Sequence, residues 1–427
     1  MSLLVLLLVF GVFLAARAQI AFALGLASLA YLFLFMPTVS PETIPQQMYA
    51  GADSFALTAI PFFVLVGELM NTGGISRRLV AFSHTLVGHL AGGMGVVELL
   101  ASMIFASFSG SAVANAAGTG AITIPAMKRS GYPSGMAAAI ESSSSSLGAI
   151  IPPSIPMVVY GSIAGVSVGA LFVGGYVPGA VMGLGLAVVI GIVARRRGLP
   201  VGRRATAREV LAAARDAGPA LMTPVLIMGG ILGGVMTPTE AGAVGAVYAF
   251  LVARFVHREI GLRDLPRVLL ATACTTGVVM LVMTIATLFG WILAFEQVPT
   301  RMAEALLGGI RSPAVLTVGV VLFLLAVGTF IETIPGLIIL TPVLAPMAQA
   351  AGIDPVFFGV IVCIALTLGV VTPPVGVVLF VTASIAKATV EETSRAIVPF
   401  LAVLIGGTLA FALVPQAVTW LPRLLGY

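Results

Sequence analysis

Two segments of the chain combine hydroxyl side chains, glycine and a proline pair in a way that suits the binding of a small cation. In each segment the prolines remove backbone donors and interrupt a helix, which frees carbonyl oxygens. Freed carbonyls and hydroxyls are ligands for sodium, and the positive ends of the half-helices suit a carboxylate. The candidate ligands are Ser143, Ser144, Ser145 and Gly148 before Pro152-Pro153 in the first segment, and Thr367, Gly369, Thr372 and Pro373 in the second.

A short polar stretch precedes each break and divides an apolar region into two runs. The first stretch covers residues 107–115 and the second covers residues 328–336. Small hydroxyls, glycine and asparagine suit a tight turn whose carbonyls stay exposed, so we expect a hairpin tip at each stretch. The candidates for sodium or substrate binding there are Ser109, Gly110, Ser111 and Asn115 in the first tip, and Thr329 and Thr333 in the second.

Helix packing and capping are competing roles for several of these polar residues. Serine and glycine also mediate close packing of apolar helices, and the serine run 142–146 could serve packing alone. Glu332 at the second tip is either functional, because an intramembrane carboxylate is costly, or placed in water at the outer mouth. Glu68, Glu98 and Glu240 are interpreted as interfacial or helix-capping groups.

The composition predicts a membrane protein. The chain has 427 residues, of which 59% are hydrophobic and only 9% are charged, whereas soluble domains carry about 25% charged residues. Its basic residues are dispersed, which argues against a nucleic-acid partner. No nucleophile–base set, transition-metal motif or nucleotide-binding loop is recognisable, so we expect neither an enzyme, nor a primary pump, nor a cofactor other than a coupling ion.

The two polar segments belong to a repeat. Residues 147–153 and 368–374 match at an offset of 221, and similar matches lie on both sides of them. Inverted repeats with broken helices are typical of secondary transporters. We predict an all-α, polytopic fold with a first repeat at 1–194, a basic cytoplasmic linker at 195–217 and a second repeat at 218–427.

Each repeat is expected to contain five spans and one re-entrant helical hairpin. The hairpins are placed at about 92–130 and 312–352, and the broken helices at about 134–165 and 355–387. Short amphipathic segments at 75–90 and 298–307 precede the hairpins. The ten predicted spans are roughly 2–16, 18–36, 52–72, 134–165, 168–194, 218–236, 239–256, 268–295, 355–387 and 395–416.

Basic residues set the predicted orientation. An odd number of spans in each repeat makes the two repeats point in opposite directions. With both termini outside, only Arg301, Arg311 and Arg423 of the 21 basic residues lie on the outer side, as the positive-inside rule requires.

These features together resemble a known family. The segments that carry the resemblance are 59–63, 67–71, 109–111, 237–241 and 372–376, which extend over nearly the whole chain. The chain is similar to the large membrane subunit of tripartite ATP-independent periplasmic (TRAP) transporters, within the ion-transporter superfamily.

The resemblance implies a sodium-driven importer of organic acids that works by an elevator mechanism in a bacterial inner membrane. It implies two partners, a small membrane subunit and a periplasmic substrate-binding protein. It also implies sodium sites at the first tip with residues 143–148 and at the second tip with residues 367–374.

A stand-alone sodium/carboxylate symporter of the same superfamily, with no binding protein, remains the alternative. A channel or structural subunit is a weaker one, since neither needs two inverted broken repeats. The sequence does not identify the acid, and no arginine lies in either tip or break to clamp a carboxylate.

Overall fold

Apolar segments in lipid must satisfy every backbone N–H and C=O internally, and a helix does so within one segment. The computed structural model describes residues 2–16, 18–307 and 312–427, and over these ranges the chain forms helices and no β-strand. The predicted all-α character is therefore confirmed. Arg17 and Arg311, which enter the orientation count, lie outside the described ranges.

Within these ranges, ten α-helices precede residue 197. They are α1 (Ser2–Ala15), α2 (Ile20–Phe35), α3 (Thr43–Ala52), α4 (Ala59–Thr72), α5 (Ile75–Val87), α6 (Gly93–Ser109), α7 (Ala112–Arg129), α8 (Ser134–Ser146), α9 (Ile155–Ala164) and α10 (Val168–Arg196). Short 3₁₀ turns at Phe55–Thr58 and Leu147–Ala149 adjoin α4 and α8.

Ten more helices of the described part of the chain follow an extended segment. They are α11 (Ala207–Leu232), α12 (Pro238–Leu251), α13 (Leu265–Phe295), α14 (Val298–Leu307), α15 (Pro313–Gly328), α16 (Thr333–Ala350), α17 (Pro355–Gly369), α18 (Val377–Ala386), α19 (Val390–Leu413) and α20 (Pro415–Leu424). A π-helical turn, Val252–Val256, extends α12. Helices α5 and α14 coincide with the two predicted amphipathic segments.

Seven helices of the described ranges are long and apolar enough to cross a membrane, fewer than the ten spans predicted. Helices α1 and α2 have 14 and 16 residues and are too short to count among them. Each predicted broken span consists of two short helices, α8 with α9 and α17 with α18. Conversely α16, predicted as a hairpin arm, has 18 residues and the composition of a span.

The helices pack in two groups. In the first, α8 contacts α6, α7, α18 and α19, and α17 contacts α10, α15 and α16. In the second, α13 packs against α2, α3 and α4, while α12 packs against α4 and α11. Helices α4 and α13 also touch the first group, through α6 and α16 respectively. The polar breaks all lie in the first group.

Candidate functional site

The first hairpin turns at Gly110, which has a φ of +59° that favours glycine. Ser111 caps α7, because the Ala114 N–H donates to its Oγ at 3.4 Å. The tip also docks on the start of α9: the Ile155 N–H donates to the Gly110 carbonyl at 3.2 Å. The turn and the break therefore form one unit.

Gly148 completes the contact between this tip and the break. A β-carbon at Gly148 would lie 2.9 Å from Asn115 Nδ2 and 3.1 Å from the Ser111 carbonyl oxygen. Such distances leave no room for a side chain, so glycine permits the close approach. Of the first set of predicted residues, the structure thus gathers Ser109, Gly110, Ser111, Asn115 and Gly148.

The predicted serines of α8 lie one to two turns before this contact. The Ser143 hydroxyl donates to the Ala139 carbonyl at 2.8 Å, and the Ser145 hydroxyl donates to the Ser142 carbonyl at 3.1 Å. A hydroxyl that donates to its own helix still has oxygen lone pairs with which to bind a cation. Ser144 differs in its surroundings, because its buried side chain lies beside the carboxyl of Glu98.

The second tip approaches the second break even more closely. A β-carbon at Gly369 would lie 2.3 Å from the Gly328 Cα, so α15 and α17 touch through two glycines. The Gly376 N–H donates to the Thr329 carbonyl at 3.3 Å, and the Thr372 hydroxyl donates to the Leu368 carbonyl at 2.6 Å. The Gly376 bond ties the tip to the break after the Pro373-Pro374 pair, whereas the Thr372 bond lies within the break, before that pair.

Two further threonines of the second set are buried. Thr367 Oγ1 has no hydrogen-bond partner in the described part of the chain, and Thr333 opens α16. The side chain of Thr329 donates to the Ala326 carbonyl at 2.7 Å, which leaves its backbone carbonyl facing Gly376. Backbone carbonyls and the threonine hydroxyls are the oxygens that this region offers an ion.

The two tips meet each other across a narrow gap. A space of about 30 Å³ lies between Gly110 and Ser111 of the first tip and Glu332 and Thr333 of the second, and Ala149 and Val370 from the breaks also line it. Both tips and both breaks therefore converge on one place, although they are more than 200 residues apart in the chain.

A larger cavity of about 440 Å³ opens between these tips and helices α4 and α13. Its polar lining consists of Glu68, Asn71, Ser109, Ser111, Thr275 and Glu332. The remaining lining is apolar or glycine, including Phe105, Val279 and Pro335. Apolar walls with a few convergent polar groups are typical of sites for small molecules.

The charge of this cavity is acidic. Glu68 and Glu332 are its only charged lining residues among those described, and no lysine, arginine or histidine lines it. The positive ends of α7 and α16, which begin at Ala112 and Thr333, point toward the tips. Helix N-termini carry partial positive charge and bind anions.

A second cavity of about 460 Å³ lies farther along α13, between α3, α9 and α16. Uncharged polar residues line it, among them Gln47, Thr287 and Gln349. At its edge the hydroxyls of Ser54 and Ser162 are 2.8 Å apart, which joins the two packing groups. The cavities thus lie along successive parts of α13, Thr275–Val282 and Met283–Ala294.

Glutamates away from the cavities occupy two kinds of position. Glu240 is a capping residue as predicted, since its carboxylate accepts from the Thr237 N–H at 2.7 Å. Glu98 is not interfacial: it is fully buried and accepts from the Ser102 hydroxyl. Sequence reasoning missed this and the equally buried Glu141, although a glutamate four residues before a serine on an apolar helix was a usable signal.

Known proteins are similar to this chain over nearly its whole length. Residues 7–417 match the family described as the DctM component of tripartite ATP-independent periplasmic transporters. The chain is 41% identical over 404 residues to the C4-dicarboxylate TRAP transporter large permease protein of Pseudomonas aeruginosa, covering 95% of this chain and 94% of that protein. It is 39% identical over 413 residues to the sialic acid TRAP transporter large permease protein of Vibrio cholerae, covering 96% of each.

The fold is similar to that of a solved transporter. The YdaH transporter of Alcanivorax borkumensis superposes with a TM-score of 0.65, covering 92% of this chain and 90% of that one. At 14% sequence identity this likeness concerns the fold alone.

Proposed function

The chain belongs to the DctM family of TRAP transporter large permeases, and on this premise we propose that it is a sodium-coupled importer of organic acids. It is a multi-pass membrane protein of a transporter family and not an enzyme. The proposed elements are the coupling ion, the site, the moving part and the partners.

One observation carries the proposal: both hairpin tips and both helix breaks converge beside a single cavity. The tips contribute Ser111 and Glu332 to that cavity, and α4 and α13 close its other side. Two oxygen-rich clusters flanking one substrate cavity allow ion binding to shape the substrate site.

Sodium would bind at each tip–break contact. At the first, we assign the oxygens of Ser109, Gly110 and Ser111 beside Gly148; at the second, those of Thr329, Thr367 and Thr372 beside Gly369. The acidic cavity explains why an ion is needed. With Glu68 and Glu332 in the lining and no basic residue there, an incoming carboxylate requires positive charge from helix ends and bound cations.

The moving part would be the packing group that contains the breaks. We propose that 92–165 and 312–387 move as an elevator against a scaffold of 2–72 and 218–295, and that the two inverted repeats 1–194 and 218–427 supply one hairpin each. Helices α5 and α14 would link the two bodies. The two cavities, on successive parts of α13, would be the paths to the two sides of the membrane.

Two partners complete the proposed transporter. A small membrane subunit would bind the lipid-facing side of the scaffold, and a periplasmic binding protein would deliver the acid at the outer surface. Relatives are named for C4-dicarboxylates and for sialic acid, so an organic acid is the class of substrate proposed here. Both termini would lie in the periplasm, with the chain in the inner membrane.

Uptake by proteoliposomes tests the proposal. The chain is reconstituted with its small subunit, and labelled organic acids are offered with a panel of binding proteins. We expect uptake only with an inward sodium gradient and a cognate binding protein, and a cooperative dependence on sodium concentration. Full uptake driven by a proton gradient in sodium-free buffer would contradict sodium coupling. Uptake without any binding protein would favour the stand-alone symporter.

A further inference from the structure

A third cavity, of about 580 Å³, lies at one end of the packing group that contains the breaks. It opens between the end of α10, the start of α8, the residue after α18 and the first turns of α19. Among the described residues, none from either tip lines it. Its lining consists of Pro133, Ser134, Gly135, Met136, Arg197, Lys387, Glu392, Arg395 and Ala396.

The charge of this cavity is basic. Arg197, Lys387 and Arg395 bring three positive side chains to the lining, and Glu392 brings the one negative side chain. The Glu392 carboxylate is used in the cap of α19, and Arg395 is paired with Glu391. Arg197 and Lys387 form no ion pair with any described residue. Two positive charges are therefore open to an anion.

The first turn of α8 adds donors to the same cavity. Ser134, Gly135 and Met136 line it, and α8 begins after Pro133 without a capping side chain or an acidic residue in its first turn. The first N–H groups of a helix have no partner within the helix and carry partial positive charge. Two unpaired cations beside an uncapped helix start suit an oxyanion such as a phosphate group.

The surroundings favour the phosphate of a lipid over a soluble anion. Helices α10 and α19 are long and apolar enough to cross a membrane, and the cavity lies where α10 ends and α19 begins. Exposed apolar side chains start directly beyond it. Ile192 precedes Arg197 by about 7.5 Å along α10, and Val398 follows Arg395 by about 4.5 Å along α19. A lipid can therefore place its headgroup in the cavity and its acyl chains on these helices.

We propose that this cavity binds the headgroup of an anionic phospholipid, with Arg197 and Lys387 contacting the phosphate. A zwitterionic headgroup would bring a positive charge of its own to the two cations, so a headgroup with net negative charge fits better. In the orientation proposed above the cavity faces the cytoplasm. Basic pockets between transmembrane helices on that side attract anionic lipids.

A bound lipid would act on the position of the moving part. Ser134 and Lys387, which line the cavity, belong to the segments proposed to move. A headgroup stays at the membrane surface, so the lipid binds best when the moving part holds the cavity at that depth. Differential binding of this kind stabilises one position over the other. This consequence rests on the proposed elevator, whereas the binding itself does not.

Native mass spectrometry of the purified full chain tests the site, with phosphatidylglycerol and phosphatidylcholine of equal chain length as probes. Wild type is compared with the double variant Arg197→Gln, Lys387→Gln. The control is Arg204→Gln, Arg263→Gln, which removes two exposed arginines outside the cavity and has the same net charge. We expect wild type to prefer phosphatidylglycerol about tenfold, the double variant to lose this preference and the control to keep it.

Three outcomes would overturn the assignment. Equal affinity of wild type for the two lipids would show that the site does not select anionic headgroups. An unchanged preference in the double variant would place the lipid elsewhere. Displacement of phosphatidylglycerol by inorganic phosphate would show that the cavity takes a soluble oxyanion instead. Size-exclusion chromatography establishes that the variants are folded, and the single variant Arg197→Gln decides the matter if the double variant is not.

Discussion

Ser111 has two roles at the scale of a single residue. Its hydroxyl caps α7, and it lines both the gap between the tips and the larger cavity. A cap stabilises a helix by about 1 kcal/mol. A sodium ligand has a different signature, because its loss changes the dependence of transport on sodium rather than stability alone. A second capping serine, Ser167, can serve as a control that separates the two effects.

Ser167 caps α10 with nearly the same geometry, since the Ala170 N–H donates to its Oγ at 3.3 Å. We predict that Ser111→Ala and Ser167→Ala each lower the stability by about 1 kcal/mol. Only Ser111→Ala should raise the sodium concentration for half-maximal uptake, by several-fold. Thermal unfolding and sodium titrations of uptake measure the two effects. Equal sodium dependence in both variants would leave Ser111 as a cap only.

At the scale of helices, the contact between α15 and α17 depends on two glycines. Helices that carry small residues approach closely enough for their backbones to touch. Gly328 and Gly369 do so at the second tip, where a β-carbon on either would fall within 2.9 Å of the other's Cα. A small side chain there must push the tip away from the break.

We predict that Gly369→Ala destabilises the protein by about 1–3 kcal/mol, the usual cost of overpacking a close contact, and abolishes sodium-driven uptake. Gly319→Ala in α15 is the matched control, because nothing lies within 4 Å of its β-carbon position. That change should leave stability unchanged or slightly raised. Thermal unfolding and uptake assays compare the two variants. Wild-type uptake by Gly369→Ala would show that transport does not need the close contact between α15 and α17.

Helix α5 is anchored to the second packing group by a charged contact. Arg78 lies 2.9 Å from a carboxylate oxygen of Glu259 and 3.3 Å from one of Asp216, and its side chain is only 18% exposed. Its neighbour Arg77 is 72% exposed and lies 3.6 Å from Glu259. Partial burial and two acceptors make the Arg78 contact the stronger of the two.

Replacing Arg78 with alanine should therefore cost about 1 kcal/mol of stability, and replacing Arg77 should cost much less. A double-mutant cycle between Arg78→Ala and Glu259→Ala should give a coupling energy of similar size. Unfolding of the four proteins provides the measurement. Additive effects of the two changes would show that the ion pair does not anchor α5.

At the scale of the whole molecule, an elevator requires the two packing groups to slide past each other. The Ser54 and Ser162 hydroxyls, 2.8 Å apart, join the groups at the second cavity. Such a bond must break when the groups move, and its position makes it a place to lock them.

We predict that a disulfide between Ser54→Cys and Ser162→Cys abolishes uptake in oxidised protein and that reductant restores it. The experiment uses a background in which the native Cys274 and Cys363 are replaced by serine and alanine, since both are free. Oxidised single variants serve as controls. Full uptake by protein whose cross-link is verified on a gel would contradict relative motion of the groups at this contact.

Within the described ranges, the helical character and the positions of the turns were predictable from the sequence. Composition and hydropathy determined that the chain is helical and lies in a membrane, because lipid leaves the backbone no other way to satisfy its polar groups. The resemblance of several short segments to TRAP large permeases predicted the family, and the match to the DctM family confirms it. Residue types located the tips and breaks, since glycine, proline and small hydroxyls act on the local backbone whatever the tertiary context.

Only the tertiary structure decided which oxygens come together. The serine run offered five equivalent hydroxyls in sequence, but in the fold Ser143 and Ser145 bond their own helix while Ser144 faces Glu98. Glu98 resembled an interfacial residue until the packing of α6, α7 and α8 buried it beside Glu141. Burial and partnership are properties of contacts between segments distant in the chain, and local sequence patterns do not encode which face of a helix meets which neighbour.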